Sequence, residues 1–198
     1  MPKRTVILIV ILTLLTGVLV FLAMKNERQD LPPESDVADA PFDAPQQLEK
    51  TATIVFEPTT VEAVPSTASA STVDVFFDST EHTVDNIQLE LQYDPEVLTN
   101  VSITAPAINF FGEAGSYVVP IQTVDRALGR ISYAIAINPQ VDAVRGVGQI
   151  AQISFSVNPQ ATVSETQIKV LDRSMANETT SHESVLAPVD PLIITIAR

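Results

Sequence analysis

The residues able to do chemistry are few, and their spacing does not assemble a reaction centre. His82 and His182 stand in separate polar stretches, and the chain has no cysteine. A thiolate nucleophile, a disulfide framework and a cysteine metal site are therefore excluded. No Gly-x-Ser-x-Gly elbow, phosphate loop or dinucleotide fingerprint occurs, and six glycines in 198 residues leave little material for such loops. Carboxylates are plentiful, so a glycosidase pair has to be weighed. Asp74 with Asp78, and Glu90 with Asp94, have a spacing that puts each pair on one face of a strand. That face carries the polar residues, where burial would not raise a carboxyl into the range a general acid needs. Asp172, Asn177 and Glu178 could offer oxygen ligands, but no Asp-x-Asp-x-Asp-Gly loop accompanies them. The expectation is no catalytic residue, no metal and no cofactor.

Binding chemistry is the remaining class. Modules that grip polysaccharide offer exposed rings to sugar faces. This chain has no tryptophan and three tyrosines, of which Tyr93 and Tyr133 fall in apolar phase. Phe110, Phe111 and Tyr117 form the one candidate aromatic cluster, inside the irregular stretch 106–120. The competing expectation is that Phe110 and Phe111 cap a core beneath a loop. Formal net charge is −13, and residues 51–198 hold seventeen acids against six bases. A domain this acidic repels phosphate backbones, so nucleic acid is a poor partner.

These candidates have to be positioned by the elements around them. Thr5 to Met24 is twenty residues without a charge, preceded by Lys3 and Arg4. As a helix it would span about 30 Å, the thickness of a bilayer's hydrocarbon core. The basic tip, residues 1–4, is then cytoplasmic and the rest extracytoplasmic, at the cell surface. The apolar run is long and ends Phe21-Leu22-Ala23-Met24-Lys25, a poor cleavage site, so an uncleaved signal-anchor is expected rather than a cleaved signal peptide. Residues 25–50 place Pro32, Pro33, Pro41 and Pro45 among seven acids and three bases. That composition cannot bury a core and predicts a disordered tether, about 85 Å when stretched and on the order of 30 Å as a coil.

From residue 51 the pattern changes to short period-two runs between turn residues, the signature of half-buried strands. Ile54 and Phe56 alternate, then Val73, Val75 and Phe77. Ile87, Leu89, Leu91 and Tyr93 alternate with polar residues, and Ile131, Tyr133, Ile135 and Ile137 with small ones. Val147, Ala151, Ile153, Phe155 and Val157 make a long late run, followed by Ile168 with Val170, and by Leu192, Ile194 and Ile196. Runs near 97–104 and 117–124 complete nine strands. No helical stripe of useful length follows residue 50. The prediction for residues 51–198 is an all-β domain, a nine-stranded two-sheet antiparallel sandwich, preceded by one transmembrane helix.

Two segments carry a resemblance. Leu89-Glu90-Leu91-Gln92-Tyr93-Asp94-Pro95-Glu96-Val97-Leu98 resembles the junction of the third and fourth strands of cohesin modules. Gly148-Gln149-Ile150-Ala151-Gln152-Ile153-Ser154-Phe155-Ser156-Val157 is similar to a late strand of the same family, and Val55-Phe56-Glu57-Pro58 fits its first strand. The resemblance covers about residues 52–196. It implies a nine-stranded jelly roll that binds a dockerin, a small calcium-loaded helical module, through one sheet face. The outward positions it points to are Asn86, Gln88, Glu90 and Gln92 on the third strand, and Ser132, Ala134, Ala136 and Asn138 on the sixth. Where the family commonly has an acid, this chain has Gln88. Ser132, Ala134 and Ala136 make a flat strip on which a helix could lie closely. The expected function is a membrane-tethered, non-catalytic module for protein recognition, with a dockerin-like or other envelope protein as partner. The alternatives are polysaccharide binding through Phe110, Phe111 and Tyr117, and a structural or adhesion role in the envelope.

Overall fold

The computed structural model describes residue 16 and residues 48–197. Apart from residue 16, the expected helix 5–24 lies outside the described residues, as does the tether 25–50 up to residue 47; among the described residues no helix is long and apolar enough to cross a membrane. The strands are β1 (Thr53–Glu57), β2 (Thr60–Ala63), β3 (Ser66–Asp78), β4 (Val84–Gln92), β5 (Leu98–Thr104), β6 (Ile108–Asn109), β7 (Gly112–Glu113), β8 (Tyr117–Asp125), β9 (Arg130–Ile137), β10 (Val147–Val157), β11 (Glu165–Val170), β12 (Met175–Glu178) and β13 (Leu192–Ile196). One sheet has the order β1-β3-β10-β5, and the other β2-β13-β11-β4-β9-β8, with β12 also on β4; β6 and β7 form a small hairpin.

All nine expected runs are strands. The count of nine is corrected by β2, the β6–β7 hairpin and β12, which are short or lack a clean alternation. Pro58 interrupts the first run, and the chain crosses to the other sheet as β2, which pairs with β13 in parallel. Among the named strands the pairing is thus antiparallel except at that edge.

The core lies between the sheets because the alternation of each strand points one residue in two at the other sheet. Val73, Val75 and Phe77 of β3 and Ile153, Phe155 and Val157 of β10 are buried from one side. Ile87, Leu89 and Leu91 of β4 and Ile131, Tyr133 and Ile135 of β9 meet them from the other. The Tyr93-Asp94-Pro95 corner is held locally: the amides of Val97 and Leu98 donate to the Asp94 carbonyl, and Glu96 N–H donates to Asp94 Oδ1. Gly129 supports it from below. Its φ is +62°, and a Cβ there would lie 2.2 Å from the Tyr93 carbonyl oxygen, so only glycine fits.

One expectation of phase is overturned. Val147 shares the period of Ala151 and Ile153, yet it is 70% exposed. The register of β10 on β3 shifts between Gln149 and Ala151, a bulge at Ile150 that moves the preceding residues to the opposite phase. The bulge has a second consequence. The Ile150 carbonyl accepts a 2.7 Å hydrogen bond from the Tyr133 hydroxyl, which joins β9 to β10 across the core.

Burial, with a smaller contribution from nearby Tyr117, raises the Tyr133 phenol above its ordinary value near 10. Burial also raises Tyr93. A raised phenol in the folded state means that the unfolded chain loses its proton first. The stabilisation is whole below pH about 10 and is lost as pH rises from there toward the folded-state value. Tyr133→Phe should cost about 1–3 kcal/mol at pH 7, since it leaves the buried Ile150 carbonyl unpaired. It should also flatten the loss of stability above pH 10, leaving the part due to Tyr93. Denaturant midpoints at pH 7 and above pH 10 check this; identical alkaline slopes in both proteins would contradict it.

Candidate protein-recognition face

β4 lies inside its sheet, between β9 on one side and β11 with β12 on the other. Its register brings most of the expected partner-binding residues together. Asn86 stands opposite Ala136, Gln88 opposite Ala134, and Glu90 opposite Ser132. β8 extends the face: Val118 stands opposite Ala136, Ile121 opposite Ala134 and Thr123 opposite Ser132. A register shift between Val118 and Ile121 keeps both on this side. They are 45% and 39% exposed, large apolar residues left uncovered beside half-buried Ala134 and Ala136. Sequence reading omitted Val118 and Ile121 because the bulge breaks the alternation that would have assigned them to a face. Pro120 between them was the available signal.

The lower half of the face is already occupied. β11 pairs with β4 as far as Val170 opposite Leu91, and β12 resumes at Met175 opposite Gln88. Between them Leu171–Ser174 leaves the ladder as a strap opposite Glu90. Leu171 N–H donates to the Glu90 carbonyl at 2.8 Å, and Glu90 N–H donates to the Ser174 hydroxyl at 2.9 Å. Arg173 reaches back to pair with Glu90 Oε2 at 2.8 Å. The same oxygen accepts from the Ser132 hydroxyl at 2.8 Å, and Gln88 Nε2 donates to Oε1 at 3.2 Å.

Glu90 was expected to face solvent, and it is 7% exposed. The strap covers it, an arrangement that strand alternation cannot register because the strap is eighty residues away along the chain, roughly. The buried charge is tolerable because it is paired and hydrogen-bonded. Gln92 is likewise committed: its amide donates to the carbonyls of Leu128 at 2.9 Å and Gly129 at 3.2 Å. Asn138 lies just beyond β9 and donates to the Gly115 carbonyl. Asn86 and Gln88 lie on the same face as Val118, Ile121, Ala134 and Ala136, and their amide nitrogens donate within the chain, Asn86 to Asp85 Oδ1 at 2.5 Å and Gln88 to Glu90.

The aromatic cluster is placed differently. Phe110 and Phe111 are 6% and 2% exposed, and their rings stack edge-on with centroids 5.0 Å apart. Phe110 also meets Phe77 edge-on at 5.1 Å. Gly148 permits this closeness, since a Cβ there would lie 2.8 Å from Phe110 Cα. Tyr117 is half-buried and donates its hydroxyl to the Pro106 carbonyl at 3.1 Å. Of the two expectations for this stretch, the burial of Phe110 and Phe111 is that of a cap on the core, and the exposed platform with Tyr117 is not formed: apolar rings gain more from burial than from display.

The other candidates stay apart or serve local structure. His82 Nε2 lies 2.9 Å from the Thr51 hydroxyl, and exposed His182 sits in a turn with φ 58°. Asp74 accepts from the side chains of Gln149 and Gln152, and Asp78 accepts from Thr80 N–H. Asp172 belongs to the strap and Asn177 to β12. The Glu178 carboxylate caps the amides of Ser181 and Thr180, which hold it below the ordinary carboxylate range. Among the described residues no group of three or more His, Cys, Asp or Glu could hold a metal ion.

No protein-family model matches this chain, and no curated protein does. Solved structures share the fold. The solution structure of CaCohA2 from Clostridium acetobutylicum is 18% identical, with a TM-score of 0.59 over 75% of this chain and 92% of its own. The sixth cohesin of scaffoldin B from Acetivibrio cellulolyticus, in complex with a Cel5 dockerin, is 15% identical, with a TM-score of 0.56 over 75% of this chain and 99% of its own. The cohesin of a type I cohesin–dockerin complex from Clostridium thermocellum, Coh-OlpC-Doc435, has a TM-score of 0.59 at 12% identity, over 77% of this chain and 97% of its own. The fold is that of the cohesin domains.

Proposed function

We propose that this chain is a non-catalytic recognition module that binds a dockerin-type helical protein through the outer face of β4, β9 and β8. The carrying observation is the uncovered strip of Ala134 and Ala136 flanked by Val118 and Ile121. Small residues let a helix approach the sheet closely, and the two exposed apolar side chains give it something to bury. Asn86 and Gln88 supply polar contacts at the rim of that strip. The structural neighbours whose names include dockerins support this reading. Residues 5–24 anchor the chain in a membrane, with the N-terminus cytoplasmic and residues 51–198 held outside on the tether 25–50.

The test is capture by the full-length, C-terminally tagged chain in mild detergent, from envelope and secreted fractions of the source organism. Recovery of one small helical protein, released by EDTA, is the expected result. EDTA would act on the partner, whose helices calcium holds. Recovery of polysaccharide alone would overturn the reading.

A further inference from the structure

A second surface lies at the free edge of β1, in the other sheet. The N–H of Ala52 donates to the Val185 carbonyl, and the Ala52 carbonyl accepts from Ala187 N–H, so both groups of Ala52 point away from β3. Backbone groups alternate in direction along a strand, so those of Ile54 and Phe56 point the same way. The segment that pairs with Ala52 does not continue alongside them. It leaves at Pro188, detours through Val189 and Asp190, and rejoins beyond Pro191, where Ile193 N–H donates to the Thr59 carbonyl. Neither proline has an N–H to offer. Among the described residues, no hydrogen bond closes on the groove-facing N–H and C=O of Ile54 or Phe56.

These four groups lie along a groove. Ile54 and Phe56 are 5% and 3% exposed, and a groove of about 440 Å³ runs between them and residues 188–191. Backbone N–H and C=O groups are obligatory hydrogen-bonding groups, so an extended backbone laid in this groove would pair them in place of water. Two donors and two acceptors, spaced along one strand edge at about 6.8 Å, match the repeat of another extended backbone. The geometry points to strand addition: the groove takes an extended peptide segment of a partner, about four residues long, that completes the ladder on β1.

Its shape and charge narrow the occupant. The edge is recessed behind the detour 188–191. A second copy's β1 is walled in the same way by its own detour, so two edges cannot meet. Val55, Val189 and Ile193 give the groove apolar walls that suit β-branched side chains. Asp190 is its one charged lining residue, Glu57 follows Phe56, and Asp74 and Asp78 flank β1 on β3. No Lys or Arg lines it. The partner segment is therefore β-branched and cationic, and the acidic tether of this chain is a poor competitor. This surface is separate from the face of β4, β9 and β8, and the two stand or fall independently.

The probe is the peptide acetyl-Lys-Val-Thr-Val-Lys-amide, titrated into full-length, isotope-labelled protein in detergent, with amide shifts and hydrogen exchange as readouts. The expected result is saturable shifts at the amides of Ile54 and Phe56, with at least tenfold slower exchange there. An analogue with its ladder amides N-methylated, and one with Glu in place of Lys, should each bind at least tenfold more weakly. Val189→Trp, which fills the groove from a half-buried position, should weaken binding by a similar factor while leaving dockerin-type capture intact. Absence of shifts at Ile54 and Phe56 at millimolar peptide would overturn the proposal and leave the detour as a guard on a strand edge. Equal binding of the N-methylated peptide would overturn it too.

Discussion

Ala134→Arg should abolish capture of the helical partner, weakening binding at least a hundredfold, while the domain keeps its fold. Ala134 sits at the middle of the strip, with Gln88 opposite it on β4 and Ile121 opposite it on β8. Its Cβ points out of the sheet, so the new side chain can extend into solvent without disturbing the core. On a docked helix the same guanidinium would stand between two surfaces that otherwise touch, and would lose water without gaining a carboxylate. A hundredfold loss corresponds to about 2.7 kcal/mol, within the usual range for one hot spot. Titration calorimetry against the captured partner measures it. Ser102→Arg, an exposed position on the outer face of the other sheet, is the control and should bind normally. Unchanged affinity of Ala134→Arg would place the partner elsewhere.

Phe77→Ala should have the largest effect on stability, about 3–5 kcal/mol. Phe77 is fully buried on β3 and meets Phe110 edge-on, and Phe110 in turn meets Phe111. Removing the ring leaves a cavity that the two rigid sheets cannot close, and it strips the cap of its inner support. Phe110→Ala should cost less, because Phe110 lies nearer the surface. The double variant should show a coupling of about 0.5–1.5 kcal/mol, the usual worth of an aromatic pair beyond its buried area. Denaturant unfolding of the three variants tests this. A loss below about 1 kcal/mol for Phe77→Ala would mean that the cap does not rest on it. The Phe110 variant also bears on the sugar-binding alternative, since a capping ring changes stability and leaves polysaccharide retention alone.

The two variants probe different kinds of information. Phe77 as a core residue was legible in the alternation of Val73, Val75 and Phe77. Ala134 was legible as an outward position in the alternation of β9. Neither reading needed the rest of the chain, because alternation is a property of a strand by itself. The irregular stretch 106–120 was different. Period two fails there, so the placement of Phe110 depended on contacts with Phe77 and Gly148, which are distant in the chain, and Phe111 packs on Phe110 in turn.

What the sequence determined by itself, then, was the identity of the nine main strands and the inward residues of most of them, since period two follows from local backbone geometry. It also determined the acidic, cysteine-free composition that removes whole classes of chemistry. Tertiary structure decided what depends on a neighbour. The bulge at Ile150 turned Val147 outward. The strap Leu171–Ser174, with Arg173, buried Glu90 in the middle of a face that alternation had assigned to solvent. Pairing of β8 with β9 brought Val118 and Ile121 onto that face, and the detour 188–191 left the edge of β1 open. Each is a relation between segments far apart in sequence, settled by which strand lies beside which and in what register, and local periodicity carries no term for that.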